Sequence, residues 1–219
     1  MNWRAFKVQA VMKWLNSSNS NSFSKAFNWA VIIGCLTIIF VIFVGKSGNP
    51  YIWSFAQFLG GFGNDLFLIS TNILIIVWAW RQRLRSIISL TLGVDLLVLI
   101  IVQGIKFLKI SPWYLRPNGG AGGFPSGHAT HAFGMAFLLT LFFPRFAWLW
   151  YAIAAAISWS RVETDWHTDF QVAVGVILGI VIVWGMVIRW LKHQNAVVIQ
   201  MTPQVQGESV QSQPVVLVE

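Results

Sequence analysis

Charged residues are scarce in this sequence. Only 10% of its 219 residues are Asp, Glu, Lys or Arg, whereas 56% are hydrophobic. A soluble domain of this length does not need so much apolar surface, so the composition excludes a soluble globular protein and indicates an integral membrane protein. The formal net charge is +8, but most Lys and Arg residues flank apolar runs, where basic residues set membrane topology. We therefore expect a membrane partner and no nucleic-acid partner.

Cysteine is almost absent as well. The single cysteine, Cys35, excludes an intrachain disulfide. Because Cys35 lies within an apolar run, we interpret it as a small hydrophobic residue of the core. The first apolar run begins only near residue 27, and no small-residue cleavage pattern follows it. We therefore expect neither a disulfide nor a cleaved signal peptide.

Six apolar runs predict membrane-spanning helices, which need about 20 residues each to cross a bilayer. They cover approximately residues 27–45, 65–80, 86–106, 128–143, 146–160 and 170–191. Some are short enough to require a thin or shielded path. Gly, Pro and Asn residues between the first two runs predict a re-entrant or interfacial segment rather than a seventh span. The sequence thus predicts an all-α, polytopic membrane protein with a bundle of six transmembrane helices.

The two ends of the chain differ from its apolar middle. Residues 1–26 carry basic and aromatic residues at helical intervals, which predicts either an amphipathic helix on the membrane surface or a poorly ordered lead. Residues 194–219 are rich in Gln, Ser and Val without a helical period, which predicts a disordered tail. The predicted domain therefore covers residues 27–193.

Basic residues predict how the chain is oriented. With six spans, one face of the membrane receives most of them, namely Arg4, Lys7, Lys13, Lys25, Arg81, Arg83, Arg85, Arg145, Arg189 and Lys192. The positive-inside rule makes that face cytoplasmic, together with both termini. The outer face receives the others, which are Lys46, Lys106, Lys109, Arg116 and Arg161. We expect a plasma-membrane or inner-membrane protein with its active site at the outer end of the core helices.

Three polar segments fall on that predicted outer face. They are KISPWYLRP at 109–117, PSGH at 125–128 and SRVETDWH at 160–167. Together they supply three cations, two imidazoles and a hydroxyl group, from Lys109, Arg116, Arg161, His128, His167 and Ser126. The backbone amides around Ser126 and Gly127 are expected to be free, because a helix start leaves its first amides unpaired. Such a set of donors suits a multiply charged anion, and phosphate matches the fork of arginine.

Two imidazoles beside a bound phosphate predict phosphoryl-transfer chemistry. A neutral imidazole can attack phosphorus, and a protonated imidazole can donate its proton to the departing oxygen. Both imidazoles start from a pKa of about 6.5. The anion and the neighbouring charges must therefore move the two pKa values apart, so that one imidazole is neutral and the other protonated. On this interpretation His128 lies at the mouth of a helix because the phosphate binds there.

The spacing of these residues resembles a known family. Lys109-x6-Arg116-Pro117, then Pro125-Ser126-Gly127-His128, then Ser160-Arg161-x5-His167 are similar to the three signature motifs of the type 2 phosphatidic acid phosphatase superfamily. That superfamily includes glucose-6-phosphatase, dolichyl and undecaprenyl diphosphatases, and vanadium haloperoxidases. The resemblance extends over about residues 60–191.

The resemblance implies a role for each motif residue. His167 would be the nucleophile that forms a phosphohistidine, and His128 would be the acid. The phosphoryl oxygens would be held by five residues, Lys109, Arg116, Ser126, Gly127 and Arg161. No metal and no cofactor are implied.

One position departs from the family pattern. The family commonly carries an Asp four residues after the nucleophile, where this chain has Gln171. An amide can accept from the imidazole and fix its tautomer, but it cannot stabilise a developing imidazolium as a carboxylate does. The glucose-6-phosphatase and dolichyl-diphosphatase branches resemble this chain in carrying Gln there. We therefore place Gln171 first as the support for His167, ahead of three nearby acids, Asp169, Asp165 and Glu163.

Other polar residues leave alternatives open. His131 is predicted to lie one turn deeper on the same helix face as His128, in a packing or supporting role. Asp95 lies within the third span, where an ionisable group is either functional or a paired structural group. A zinc site is a further alternative, although neighbouring cations would repel the metal ion. Its ligands would be His128, His131, His167 and Asp169.

The function predicted from the sequence is hydrolysis of a phosphomonoester or pyrophosphate on a lipid, because a phosphate pocket at headgroup depth meets lipids first. Candidate substrates are polyprenyl diphosphate, phosphatidic acid and phosphatidylglycerol phosphate. A phosphotransferase with the same phosphohistidine is one alternative, and a non-catalytic phosphate-binding membrane protein is another. The sequence predicts no particular oligomeric state.

Overall fold

The computed structural model describes the backbone of residues 3–210 and the side chains of residues 22–194. Every regular element in that part of the chain is helical, which confirms the predicted all-α class. The elements are α1 (Trp3–Phe43), α2 (Pro50–Phe58), a π-helical turn (Leu59–Gly63), α3 (Asn64–Arg81), α4 (Arg85–Phe107), α5 (Gly127–Phe142), a 3-10 turn (Pro144–Phe146), α6 (Ala147–Glu163) and α7 (Asp169–Val210). The predictions for the N-terminal lead and the C-terminal tail fall mostly outside the fully described residues and stay predictions.

Four helical segments are long and apolar enough to cross a membrane. They are Ser22–Phe43, Pro50–Arg81, Arg85–Phe107 and Asp169–Gln194. The other two large helices, α5 and α6, have 16 and 17 residues, which is shorter than the roughly 20 residues that a bilayer requires. The chain is an integral membrane protein, and the count of six spans stays a prediction.

Helix α5 lies at the centre of the bundle. Thirteen of its sixteen residues are buried, and it packs against α1, α3, α4, α6 and α7. A helix that is apolar on all sides is expected to be buried in this way. The neighbouring helices, rather than lipid, therefore surround most of this short helix.

Glycines bring α5 and α7 into direct backbone contact. A Cβ atom on Gly175 would lie 2.6 Å from the carbonyl oxygen of Ser126, and one on Gly179 would overlap the carbonyl oxygen of Thr130. Small residues four positions apart allow two helices in a membrane to pack this closely. This contact fixes the start of α5 against the start of α7.

The sequence predicts that the glycine-rich segment before α3 interrupts the helix, but the structure shows no interruption there. Residues Leu59–Gly63 form a π-helical turn that joins α2 to α3, so Pro50–Arg81 runs as one helical segment. A π-helical turn absorbs the extra residue without ending the helix. These residues therefore form the first part of a long helix and not a separate seventh span, and an interfacial position for α2 stays a prediction.

The core interpretation of Cys35 is also corrected. Its side chain is exposed on α1, among other exposed apolar residues such as Leu36 and Ile39. In a membrane protein such a surface faces lipid, which accommodates a thiol as readily as a protein core does. The apolar run containing Cys35 therefore indicated burial in the membrane and not burial in the bundle.

Candidate active site

The three polar segments predicted to converge meet at one end of the bundle. The Ser126 amide donates to the Gln171 carbonyl at 3.0 Å, and the Asn118 amide donates to the Asp165 carbonyl at 3.2 Å. The first bond connects the PSGH segment to α7 just after the SRVETDWH segment. The second connects the loop that follows the KISPWYLRP segment to SRVETDWH itself. The end of α4, the start of α5 and the α6–α7 connection thus form one site.

The imidazole of His167 is buried and held in one orientation. Its Nδ1 atom lies 2.7 Å from the Gly123 carbonyl oxygen and 3.2 Å from Gln171 Oε1. Both neighbours are acceptors, so Nδ1 carries the proton and the lone pair remains on Nε2. This is the tautomer that a nucleophilic histidine requires.

The surroundings of His167 favour its neutral form. Burial lowers the pKa of His167 to about 3, and the positive charges of Arg161, Lys106 and Arg116 act in the same direction. The hydrogen bond to the Gly123 carbonyl opposes this change in pKa without reversing it. At neutral pH the imidazole is therefore uncharged and able to attack an electrophile.

Gln171 is fully buried, and both ends of its amide are hydrogen-bonded. Its Nε2 donates to the carbonyls of Trp113 at 2.7 Å and Leu115 at 2.8 Å. Its Oε1 accepts from the Thr168 amide at 3.0 Å and faces Nδ1 of His167. The two carbonyl acceptors determine which end of the amide faces the imidazole. Gln171 therefore fastens the loop after α4 to the turn that carries His167.

The acids considered as alternatives to Gln171 make other contacts. Asp165 pairs with Lys46, Glu163 accepts from the Ser47 hydroxyl, and Asp169 accepts from the Phe170 amide. None of these three carboxylates forms a hydrogen bond with His167 in the described part of the chain. The acceptors at Nδ1 are a backbone carbonyl and a carboxamide.

Two arginines flank one aromatic ring. The Cζ atoms of Arg116 and Arg161 lie 4.9 Å and 5.1 Å from the ring centroid of Trp166. Cation–π attraction to the ring offsets part of the repulsion between two like charges. The Nε atoms of both arginines are buried without a hydrogen-bond partner. Because unpaired buried donors are costly, this arrangement suits an anion that would accept from them.

The π-helical turn holds Arg161 in place. Arg161 Nη1 donates to the Gly60 carbonyl at 2.7 Å. A Cβ atom on Gly60 would lie 2.7 Å from that same nitrogen and from Ser160 Oγ. A glycine is therefore required where the helix approaches Arg161, and π-helical turns often occur at functional sites.

Ser126 supplies a hydroxyl group but not a free amide. Its Oγ atom is buried without a hydrogen-bond partner, whereas its backbone N–H is taken by Gln171. The expectation of free amides around Ser126 and Gly127 is therefore corrected for Ser126, which lies just before α5. The first amides of the helix, from Gly127 onward, have no carbonyl partner within α5 and add a partial positive charge to the site.

The two motif histidines share their electrostatic neighbours. His128, at the start of α5, interacts with Arg161, Lys106 and the carboxylate of Asp65. Arg161 and Lys106 also act on His167. The same pair of cations therefore acts electrostatically on both imidazoles.

His131 and Asp95 form a separate polar group deeper in the bundle. His131 interacts with Asp95, and Asp95 interacts with Asn72 on α3. This pairing favours the structural interpretation of Asp95. Among residues 22–194 no three His, Cys, Asp or Glu side chains come together as metal ligands, so the four residues of the zinc alternative do not converge.

Two lysines near the end of α4 are placed differently. Lys109, the lysine of the motif spacing, is exposed beyond the helix with a backbone φ of 49°. Lys106 is half-buried in the last helical turn. Its Nζ atom lies 3.9 Å from the position that a Cβ on Gly127 would take. The structure brings Lys106 to the start of α5 and leaves Lys109 outside.

Four residues of the site were not identified by the motifs: Lys106, Trp166, Gly60 and Gly123. The sequence does contain a signal for Lys106, because it follows the buried residues Val98 and Val102 of α4 at the same interval of four residues. Trp166 directly precedes His167, but its contact with both arginines depends on a turn that sequence patterns do not specify. Gly60 and Gly123 act through backbone carbonyls, for which a sequence gives no signal.

Comparison with known proteins agrees with the motif spacing. The sequence model of the PAP2 superfamily matches residues 103–195, which confirms the family resemblance. The bacitracin transport permease protein BcrC of Bacillus licheniformis is 26% identical over 142 residues, which are 60% of this chain and 66% of that relative. The chain thus spans just under two thirds of that relative's length. No solved structure gives a significant match.

Proposed function

We propose that this chain, whose residues 103–195 belong to the PAP2 superfamily, is a membrane phosphatase that hydrolyses a phosphomonoester or pyrophosphate group of a lipid. One observation carries the proposal. Buried donors without partners, Ser126 Oγ and the Nε atoms of Arg116 and Arg161, lie in the same site as a neutral imidazole whose Nε2 is unprotonated. Such a site is complementary to a phosphoryl group beside a nucleophile.

The first step is attack by His167. Its Nε2 atom forms a bond to phosphorus while the bond from phosphorus to the leaving oxygen breaks, and His128 donates a proton to that oxygen. Burial and the neighbouring cations favour the neutral form of His128, so the negative charge of the bound phosphate would have to favour its protonated form. The product is a phosphohistidine whose ring carries additional positive charge. The Gly123 carbonyl and Gln171 Oε1 accept from Nδ1–H and stabilise that charge in place of a carboxylate.

The second step regenerates the enzyme. His128, now neutral, takes a proton from water, and the resulting hydroxide attacks phosphorus as the bond to Nε2 breaks. Inorganic phosphate leaves, and both imidazoles return to their initial states. Throughout, Arg116, Arg161 and Ser126, together with the Gly127 amide, would hold the phosphoryl oxygens.

The lipid substrate follows from the position of the site. The site lies at the ends of helices that are long and apolar enough to cross a membrane, and we propose that this end of the bundle lies at the depth of the headgroups. Trp78 at the end of α3 contacts Phe142 and Phe143 at the end of α5, so the basic α3–α4 connection lies at the opposite end of the bundle. With six spans, the positive-inside rule places that end in the cytoplasm and the site on the outer face. Polyprenyl diphosphates, phosphatidic acid and phosphatidylglycerol phosphate are the substrates we propose to compare.

The name of the Bacillus relative describes transport, whereas the groups in this site favour a chemical reaction. Two histidines, two arginines and a serine grouped at one end of the bundle are not needed to move a solute. A phosphotransferase would use the same phosphohistidine but pass the group to an alcohol. A phosphate-binding protein without activity would need the cations but not the oriented tautomer of His167.

The test uses the full-length protein in detergent micelles that contain each candidate lipid. We expect release of inorganic phosphate, unaffected by EDTA, and a loss of at least about 10⁴-fold in kcat for His167→Ala. His193→Ala is the matched control, because this exposed histidine lies past the site near the end of the last described span. Unchanged activity in His167→Ala would exclude the assigned nucleophile, and transfer of label to a second lipid would favour the phosphotransferase.

A further inference from the structure

We propose that Lys106, and not the motif-spaced Lys109, is the lysine that binds the phosphoryl group of the substrate. This inference rests on the proposed function for the identity of the substrate. The family spacing assigns this role to Lys109. Helix α4 ends at Phe107, however, so the spacing selects a residue beyond the helix.

The helical register places Lys106 on the side of α4 that faces the site. Val98 and Val102 are buried, and Lys106 continues the same stripe at an interval of four residues, which keeps it on one helix face. Val102 Cγ1 lies 3.4 Å from the position of a Cβ on Gly127. The stripe therefore packs on the first turn of α5, and its next member reaches the mouth of that helix.

The side chain of Lys106 passes through space that two glycines leave open. Its Cδ lies 3.8 Å from a Cβ position on Gly122, and its Nζ lies 3.9 Å from that on Gly127. The methylene groups are thus covered by the glycine-rich loop, while the ammonium group lies beside the first amides of α5. A lysine whose stem is covered and whose charged end reaches a polar region is a common arrangement.

The charge of Lys106 has cations and no carboxylate as its partners. It interacts electrostatically with Arg116 and Arg161, and no ion pair to it is found among residues 22–194. Like charges brought together in a partly buried place are unfavourable unless an anion joins them. A phosphate bound among the three cations would provide that anion, and the first amides of α5 would add donors.

Lys109 leaves the helix before it can reach the same place. Helix α4 ends at Phe107, and the Lys109 amide donates to the Lys106 carbonyl at 3.2 Å in a closing turn. The positive φ of Lys109 turns the chain away from the stripe of Val98 and Val102. Its exposed side chain extends from the loop and not from the wall of the site.

The experiment compares Lys106→Met with Lys109→Met in the full-length protein. Methionine keeps a long, unbranched stem and removes only the charge. With the lipid that the wild type cleaves best, we expect kcat/KM to fall about 100-fold in Lys106→Met, as for loss of one transition-state donor. We expect a clearly smaller loss in Lys109→Met and partial recovery of activity in Lys106→Arg.

A second measurement does not depend on turnover. Orthovanadate is expected to raise the unfolding temperature of the wild type and of Lys109→Met but not of Lys106→Met, because binding to the folded state stabilises it. The reassignment is overturned if Lys109→Met loses both vanadate stabilisation and activity while Lys106→Met keeps them. If no lipid is hydrolysed but only Lys106→Met loses the vanadate effect, the proposed function fails and the assignment of Lys106 stands.

Discussion

The two sides of the candidate site are built differently. On the side formed by α5, α6 and α7, the functional side chains are almost completely buried; they are Ser126, Arg161, His167 and Gln171. The other side is the loop between α4 and α5, where Lys109, Trp113 and Leu115 are exposed. The proposed nucleophile, His167, thus belongs to the packed side, and Arg116, a proposed phosphate ligand, belongs to the exposed one.

The exposed side takes its position from the buried side. Gln171 binds the carbonyls of Trp113 and Leu115, and Trp166 contacts the guanidinium group of Arg116. The ring of Trp113 also packs on that of Phe170 at the start of α7, with ring centroids 5.4 Å apart. A loop that depends on such contacts with its neighbours has low local stability. Changes at Gln171 and Trp166 should therefore affect the loop more than they affect the helices.

Among changes to the contacts that join the two sides, the largest effect is expected from Gln171→Glu. A carboxylate cannot donate to the two loop carbonyls, and each unpaired buried group costs about 1–3 kcal/mol. We expect the loop to shift and kcat/KM to fall about 100-fold, since 1.4 kcal/mol corresponds to a factor of ten. Activity should recover in part as the pH is lowered, because a protonated carboxyl can donate to one carbonyl.

This variant also distinguishes two roles for the amide. If Gln171 were only a weak replacement for the family's Asp, a carboxylate would increase the rate by stabilising the imidazolium. Activity of Gln171→Glu equal to or above that of the wild type would contradict the fastening role. Gln171→Met, which removes both donation and acceptance, should be at least as impaired at every pH.

A smaller effect is expected from Trp166→Ala. The ring contacts both arginines, and each exposed cation–π contact contributes about 0.5–1 kcal/mol. We expect kcat/KM to fall about tenfold, mainly through KM, because we propose that the arginines bind the phosphate in the ground state. Trp166→Phe should retain most of the activity.

Trp148→Ala provides the control for loss of a large aromatic side chain, because Trp148 is exposed at the start of α6. Equal losses in Trp148→Ala and Trp166→Ala would indicate general destabilisation and not a specific contact with the arginines. If Trp166→Phe lost as much activity as Trp166→Ala, the aromatic face could not be what positions the arginines.

The smallest effect concerns pH. Burial and the neighbouring cations lower the pKa of His167 to about 3, so the nucleophile stays neutral as the pH falls from 7 to 4. Any decrease in kcat/KM over that range should come from other groups. NMR of the ¹⁵N-labelled imidazole should show one unchanged neutral tautomer between pH 7 and 4, and titration of His167 near 6.5 would contradict the buried arrangement.

The same difference between the two sides explains what the sequence could predict. His128, Arg161 and His167 lie at the ends of long apolar runs, and because consecutive helices alternate direction, their meeting at one end followed from the order of the runs. The all-α fold followed from composition and periodicity. On the packed side, position along a helix is almost enough to determine position in space.

The loop side could not be predicted in this way. The choice between Lys106 and Lys109 depends on where α4 ends, and helix ends are uncertain by one or two residues in any pattern. Gly60 was expected to belong to a break, because a sequence does not distinguish a glycine that ends a helix from one that admits a π-helical turn. The Gly123 carbonyl at His167 has no side chain from which to infer it.

The backbone contact of Gly175 and Gly179 with α5 has a consequence for the protein in different membranes. A helix whose length does not match the local hydrocarbon thickness responds by tilting. Because α5 and α7 touch through their main chains, they must tilt together, so the spacing between Ser126 and the start of α7 is preserved. In thin and thick bilayers we therefore expect differences in how readily the lipid reaches the reacting groups, while the arrangement of those groups stays the same.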